Sequence, residues 1–393
     1  MNLPTPDPAA LEHSQRLSEH IARAIAAEGG WISFATYMAL ALYTPGLGYY
    51  SGGARKFGSA GDFITAPEIS PLFAQTLAAQ VAQILQASAP DIIEVGAGSG
   101  ALAADLLLAL EQQDALPNRY AILELSGELR ERQQATLATH APHLAALVHW
   151  LDALPASFSG VVIANELLDA MPVHLVEWRE EDGLAQVLER GISLNESADG
   201  ASPFIWQNRP ASGALLSAAQ ALSDSVPINA PFLTEINLAA RAWAAGWGDI
   251  LQSGALLLID YGFPQREYYH PQRSEGTLMC HYRHHAHSDP LWLPGLNDIT
   301  AHVDFTALIE AGHDAGLSLL GYTSQAHFLL NCGLTHTLSQ HSPEDPAYLQ
   351  LAAAAQKLIS PAEMGELFKV IAMGKGVDEP LVGFLNGDRS ERL

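Results

Sequence analysis

The sequence predicts an α/β protein built on a mostly parallel sheet of seven strands, and three observations carry that expectation. From Asp91 onward, apolar strand-like runs alternate with helical patterns, the rhythm of βαβ units. The first run, D-I-I-E-V, ends at glycines on alternate positions, Gly96, Gly98 and Gly100, before an Ala/Leu-rich helical segment from Ala101 to Leu110. Strand, tight turn and helix N-terminus therefore adjoin. Two further strand-like runs close the chain after five others, as in a parallel sheet that ends in an antiparallel hairpin. A hydrophobic content of 48% over 393 residues is enough for a large core and excludes wholesale disorder.

The elements follow in order. Leu11 to Glu28 has helical spacing, Gly29-Gly30 punctuates it, and Ile32 to Tyr43 continues as a second helix. The Gly/Pro-dense loop from Thr44 to Pro71 is too long to be idle in a compact domain, and an apolar helix from Leu72 to Leu85 follows it. Strands are expected at Ile92–Val95, Tyr120–Leu125, Leu147–Leu151 and Val161–Asn165, with a helix at Glu128–His140. His174–Trp178 and Ala185–Leu188 flank E-E-D-G as a hairpin. Residues 191 to 231 are polar and Pro/Ser-punctuated, and read as an insertion over a sheet edge. A helix near Asn237–Leu251 feeds the buried strand Ala255–Asp260, and Tyr261 to Thr300 forms a second long loop. Helices at Asp304–Ala315 and within Pro346–Leu358 accompany the closing strands Leu317–Thr323 and Phe368–Met373.

Charge narrows the partners. There are 43 acidic and 19 basic side chains, a formal charge of -24, and no basic patch, so a phosphate backbone is repelled and nucleic acid is not an expected ligand. A basic protein or peptide is steered inward by the same field. No apolar run reaches membrane-spanning length, and the N-terminal residues lack the pattern of a secretory signal. The two cysteines, Cys280 and Cys332, suit a reducing compartment and leave no disulfide framework. A cytoplasmic protein of bacterial type, without membrane contact, is the resulting expectation. The segment H-Y-R-H-H-A-H (His281 to His287) lacks a carboxylate at fixed helical spacing, so it reads as a solvated or substrate-facing loop and no metal is expected.

The glycine turn fits two ligand classes by spacing. Gly96, Gly98 and Ala101 satisfy the dinucleotide pattern G-x-G-x-x-A, while Gly96, Gly98 and Gly100 satisfy the tighter G-x-G-x-G of S-adenosylmethionine (SAM) enzymes. A turn that merely packs helix on strand is the plainer alternative. Glu94 favours SAM, because a carboxylate there repels pyrophosphate and attracts the ligand's ammonium and sulfonium. The helix dipole alone would prefer an anion.

Ligands of open parallel sheets bind beyond the carboxyl ends of the strands. Those ends offer Glu94 with Gly96, Ala97, Gly98 and Gly100; Glu124 and Leu125, placed for a ribose; Asp152 and Ala153, placed for an adenine edge; then Asn165, Glu166 and Asp169; and lastly Asp260 and Tyr261. Solvated strand termini would explain any one of these singly. So many carboxylates suit methyl transfer to a cationic acceptor, in which positioning dominates and a carboxylate orients the acceptor and accepts its proton. Glu166 and Asp169 are the catalytic candidates, with capping of the following segment as the rival role for Asp169.

Five motifs then resemble one family. G-D-F-I-T-A-P-E-I-S (Gly61–Ser70), E-V-G-A-G-S-G (Glu94–Gly100), N-E-L-L-D-A-M-P-V-H (Asn165–His174), I-D-Y-G (Ile259–Gly262) and D-I-T-A-H-V-D-F (Asp298–Phe305) are similar, in order, to the MidA family of SAM-dependent methyltransferases, relatives of a mitochondrial complex I assembly methyltransferase. The resemblance implies a class I, Rossmann-like methyltransferase fold, SAM as donor and a protein arginine as acceptor, giving symmetric dimethylarginine. Carried over by position, Glu94, the three glycines and Glu124 bind SAM, with Asp152 and Ala153 near the adenine. Gly61, Asp62, Thr65, Pro67 and Glu68 fold over the cofactor and shape an acceptor channel. The turn reads G-A-G-S-G where relatives often have G-P-G-R-G, and Asn165 stands where the mitochondrial sequence has histidine; no glycine or carboxylate is lost.

The expectation is thus a SAM methyltransferase with a helical, cofactor-covering N-terminal region at 1–90 and a methyltransferase domain at 91–393, carrying an insertion at about 174–235 and a substrate-side loop at about 261–303. Gly61, Thr65, Pro67 and Asn165 join the cofactor set, and Asp62, Glu68, Asp260, Tyr261, His302 and Asp304 are candidates to line the acceptor. The expected partners are a protein substrate, which the resemblance extends to a respiratory complex subunit, and a second copy in a homodimer. A non-catalytic SAM-binding assembly factor and an NAD-dependent dehydrogenase are the alternative functions.

Overall fold

The computed structural model describes residues 3–52, 65–181, 183–196 and 202–393. The chain groups into two compact units, each drawn from separated segments. One comprises Met1–Phe63, Leu168–Arg241 and Phe263–Asp304, the other Ile64–Leu167, Ala242–Gly262 and Phe305–Leu393.

The second unit is organised by seven strands: β1 (Asp91–Val95), β2 (Arg119–Leu123), β3 (Val148–Leu151), β4 (Phe158–Asn165), β5 (Leu251–Phe263), β6 (Ser318–Ser324) and β7 (Phe368–Lys375). Their spatial order is β3–β2–β1–β4–β5–β7–β6. The first five pair in parallel, while β7 is antiparallel to both β5 and β6. This is the class I methyltransferase sheet, closing hairpin included. Continuous apolar runs such as Val161–Ala164 and Ala255–Ile259 are buried, because helices cover a parallel sheet on both faces. Among the covering helices, Leu72–Ala87, Ala101–Gln112 and Tyr348–Ile359 share one hydrophobic core with the strands. The strand order reverses between β1 and β4, which places a crevice at the carboxyl ends of those two strands.

In the first unit, the helix Pro8–Ala27 is capped by Asp7, has proline at its first position, and buries Leu17, Ile21 and Ile25 along one stripe. The expected hairpin is present: His174–Glu181 pairs antiparallel with Leu184–Leu194. Two expectations need correction. Residues 191 to 231 are not merely a polar insertion, since Phe204–Pro210 pairs with Leu184–Leu194 and Gly213–Ser225 is a helix. Most of the strand is exposed, and its apolar residues Phe204, Ile205 and Trp206 are consecutive, so no alternation marks it in the sequence. The stretch from Tyr261 to Thr300 also carries regular structure, a small antiparallel sheet of Met279–Tyr282, His285–His287 and Asp298–Thr300. Strands this short show no period in the sequence.

Among the described residues no helix is long and apolar enough to cross a membrane.

Candidate active site

β1 delivers an acid to the point where the backbone turns away from the sheet. Glu94 is 3% exposed, and its Oε2 accepts the Tyr120 hydroxyl at 2.7 Å. Burial pushes its pKa up to about 7, the Tyr120 hydrogen bond pulls it back, and the neighbouring charge of Glu124 raises it again. Beyond it, the Gly96 N–H still donates to Leu123 O at 3.1 Å, so the turn leaves β1 paired to β2. Gly96, Gly98 and Gly100 then take φ of +72°, +51° and +82°, a path that side chains disfavour. Space is tight as well: a Cβ on Gly96 would lie 2.9 Å from Leu167 Cδ1, and one on Gly100 would lie 3.0 Å from the backbone Cα of Gln133. The helix Ala101–Gln112 starts here without a side-chain cap, so the turn presents backbone, as close approach of a ligand requires.

Glu124 follows the end of β2 and is 8% exposed. Its Oε1 accepts from Ser126 N at 2.9 Å and its Oε2 from Gln133 Nε2 at 3.1 Å. Burial raises its pKa, against the pull of these hydrogen bonds and of the Arg130 charge. Leu125 beside it is 82% exposed, an apolar surface at a strand end. Arg130 ties the ends of β2 and β3 together: Nε donates to Glu124 O at 2.6 Å, Nη2 to Leu151 O at 2.7 Å, and Nη1 lies 2.8 Å from Asp152 Oδ1. The Asp152 side chain is solvated, so that pair sets direction more than stability, and Ala153 is exposed next to it.

The end of β4 is held in an unusual conformation. Glu166 has φ of +51°, a region that non-glycine residues seldom occupy. Its N–H donates to Ile259 O of β5 at 2.9 Å, and its Oε1 accepts from Ala66 N and from Asn165 Nδ2, each at 3.2 Å. Among the described residues Asn165 Oδ1 is buried without a partner, an acceptor that a ligand's N–H donor would satisfy. Thr65 precedes the short helix Ala66–Ile69, which carries Pro67 in its first turn, and Glu68 of that helix accepts from the Ser99 hydroxyl in the glycine turn. On β5, Asp260 is buried and accepts from Tyr261 N at 2.9 Å, while the Tyr261 ring packs edge-on against Phe368 at 5.4 Å. Gly61 and Asp62 lie outside the described residues.

Three candidates belong to the other unit. Asp169 is buried, and its backbone oxygen accepts from Ala301 N at 2.9 Å. The His302 ring stacks on Phe263 at 5.2 Å, and the Arg273 guanidinium lies 3.8 Å from the same Phe263 ring. Asp304 sits beside Tyr269, whose hydroxyl burial first and the Asp304 charge next push above its ordinary range. In the histidine segment, His287 is buried against Asn297 Oδ1 at 3.1 Å.

The second unit thus gathers Glu94, the glycine turn, Glu124, Asn165, Glu166 and Glu68 at the carboxyl ends of its strands. This donor set fits SAM. The bare turn admits a ligand closely, and an ammonium would favour the ionised Glu94 that burial opposes. Sequence reading missed Tyr120, Ser99, Arg130 and Gln133. Tyr120 carried a signal, since a hydroxyl inside an apolar strand needs a buried partner; the other three are polar residues of a polar helix or a turn and carry none.

Comparison with known proteins agrees with the geometry. Residues 76–323, more than half of the chain, match the Methyltransf_28 family, described as S-adenosyl-L-methionine-dependent methyltransferase. The chain is similar to the mitochondrial protein arginine methyltransferase NDUFAF7 of Danio rerio, 29% identical over 393 residues that cover 92% of this chain and 87% of that one. The NDUFAF7 homolog of Drosophila melanogaster is 29% identical over 400 residues, covering 90% and 85%. A crystal structure of a COG1565 superfamily member from Burkholderia thailandensis, bound to S-adenosyl-homocysteine, is 52% identical and superposes with a TM-score of 0.94 over 100% of both chains. Sheet order, glycine turn and family match converge: the chain belongs to the MidA-type family of SAM-dependent methyltransferases.

Proposed function

We propose that the protein transfers methyl groups to the guanidinium of an arginine in a protein substrate, with symmetric dimethylarginine as product and a respiratory complex subunit as the kind of acceptor. The NDUFAF7 relatives are named for protein arginine methylation, and the charge of -24 suits a cationic acceptor. The observation that carries the reading is Glu166, a carboxylate fixed at the end of β4 in a left-handed conformation by bonds to Ile259, Ala66 and Asn165. Conformations of this cost persist where the surroundings enforce them, and they concentrate at functional sites.

When bound, SAM supplies an electrophilic methyl on a sulfonium. The residues of the chain do the rest. Glu94 attracts the ligand's ammonium, and Glu124 accepts from the ribose hydroxyls. Leu125 offers an apolar surface to the purine, and Asp152 with the Ala153 N–H reads its edge. A guanidinium has no lone pair directed outward, so Glu166 orients it, draws its positive charge toward the nitrogens it binds so that the reacting nitrogen regains a lone pair, and accepts the proton shed after the methyl leaves the sulfonium. Asp260 and Tyr261 of the same unit are the acceptor-side candidates beside Glu166, while the candidates Asp169, His302 and Asp304, read from the sequence, belong to the other unit.

The test is incubation with methyl-labelled SAM and fractionated host lysate, followed by mapping of labelled residues. Label on arginine that Glu166→Gln abolishes supports the reading; label confined to other residue types defeats the arginine assignment.

A further inference from the structure

Gln133 lies beside the glycine turn and Glu124 of the donor site. It lies on the helix Gly127–His140, is fully buried, and makes three hydrogen bonds to three separate elements. Its Nε2 donates to Gly98 O and to Glu124 Oε2, each at 3.1 Å, and its Oε1 accepts from Trp150 Nε1 at 2.8 Å. The partners fix the amide's orientation by chemistry alone. An indole N–H only donates, while a carbonyl and a carboxylate only accept, so the oxygen must face Trp150 and the NH2 must face the other two. Two donors and one acceptor at the end of a three-carbon stem is what glutamine offers; glutamate, lysine and methionine each fail at least one partner.

The position is close-packed as well as bonded. A Cβ on Gly100 would lie 3.0 Å from Gln133 Cα, 3.2 Å from its Cβ and 3.3 Å from its Cγ. The last glycine of the turn and the root of this side chain therefore fix each other's place. Thr136, one position around the same helix, adds a bond from its hydroxyl to Ser99 O at 2.8 Å, so the helix grips two carbonyls of the turn.

We infer that Gln133 is a positioning residue for the methyl donor, holding the glycine turn and the Glu124 carboxylate in one register and supporting the ionised form of Glu124. This rests on the reading that the glycine turn and Glu124 hold SAM. Gln133 acts through them, because its polar atoms are spent on Gly98, Glu124 and Trp150.

S-adenosyl-homocysteine titrations on the full chain test it, with circular dichroism and thermal melts to establish folding. Gln133→Met keeps the volume and removes the donors; affinity should drop about tenfold or more, as when buried acceptors lose their partners. Gln133→Glu sets a second carboxylate against Glu124, so the pair shares a proton over a raised pH range. That variant should bind weakly at pH 8 and regain part of the loss at pH 6, a slope opposite to that expected of the wild type. Trp150→Phe removes only the third bond and should weaken binding several-fold, which keeps the inference testable if Gln133→Met does not fold. A purely structural glutamine would lower melting temperature while leaving affinity and its pH slope as in the wild type, and that result overturns the inference. Gly98→Val and Glu124→Ala serve as references. If both bind as the wild type does, the donor-site reading falls; if both lose binding while the Gln133 variants keep it, only this inference falls.

Discussion

At the scale of single residues, Glu94 makes the sharpest claim. Its pKa rises from an ordinary value near 4.5 to about 7, chiefly through burial. A carboxyl whose folded pKa is raised binds its proton more tightly in the folded state. Its contribution to stability is therefore complete below about pH 4.5 and is lost as pH climbs through about 7. A ligand ammonium asks for the ionised form. Affinity for S-adenosyl-homocysteine should accordingly rise between pH 5.5 and 7.5, by up to roughly tenfold per unit on the acid side, and Glu94→Gln should flatten that rise. Calorimetry across this range decides it, and a flat wild-type profile would remove Glu94 from the ammonium site. Glu124 makes a different claim. If it holds the ribose diol, Glu124→Ala gives up two charge-assisted bonds of about 1.5–3 kcal/mol each, and affinity should fall by more than tenfold. A variant that unfolds instead would mark Glu124 as a structural group.

At the scale of elements, the turn and the strand ends respond to different substitutions. Gly98→Val places a branched side chain where φ is +51° and backbone has to meet the ligand, so donor binding should be lost in a folded protein. Unchanged affinity in that variant would take the site away from Gly96–Gly100. Glu166→Gln at the end of β4, and Asp169→Asn in the other unit, should each leave donor affinity largely intact and lower transfer by about 10²-fold, the scale of a lost acid–base group. Wild-type transfer in both would move the search to Asp260 and the His302–Asp304 segment. How much of this was legible follows from the kind of signal each element leaves. All seven sheet strands show in the sequence within a few residues of their bounds, and the clearest are the buried parallel ones that form unbroken apolar runs: Ala255–Asp260 stands out, and Leu251–Phe263 is its full extent. Glu94, Glu124 and Glu166 were legible because a carboxylate closing such a run is conspicuous. Gln133 and Arg130 were not, since each is one polar residue in the polar helix Gly127–His140, and only the fold shows which of its positions face the turn. Phe204–Pro210 escaped for another reason: its apolar residues Phe204, Ile205 and Trp206 are consecutive rather than alternating, and the polar stretch around them hides the strand.

At the scale of the molecule, the surplus of acid acts on encounter more than on fold. With 43 acidic and 19 basic side chains, a cationic substrate is drawn in by a field that salt screens over about 8 Å at physiological ionic strength. Transfer to a basic protein or peptide should therefore show kcat/KM falling as sodium chloride is raised from about 50 to 300 mM, while donor affinity changes little. An acceptor recognised through apolar contacts would show the reverse or no trend, and initial-rate measurements at the two ionic strengths separate the cases.

The order of strands in the sheet also bears on how the protein is made. β7 is the last of the seven strands to leave the ribosome, yet it lies between β5 and β6, antiparallel to both. Until Phe368–Lys375 has emerged, the apolar run Ala255–Ile259 of β5 has no neighbour on that side, although β1 to β4 already have theirs. A nascent chain stalled before Phe368 would carry the glycine turn and every candidate strand-end acid, together with a long, sticky sheet edge of the kind that recruits other chains. Termination ahead of Phe368 is thus expected to yield aggregate rather than a weakened enzyme, and β7 is the strand that makes the others safe.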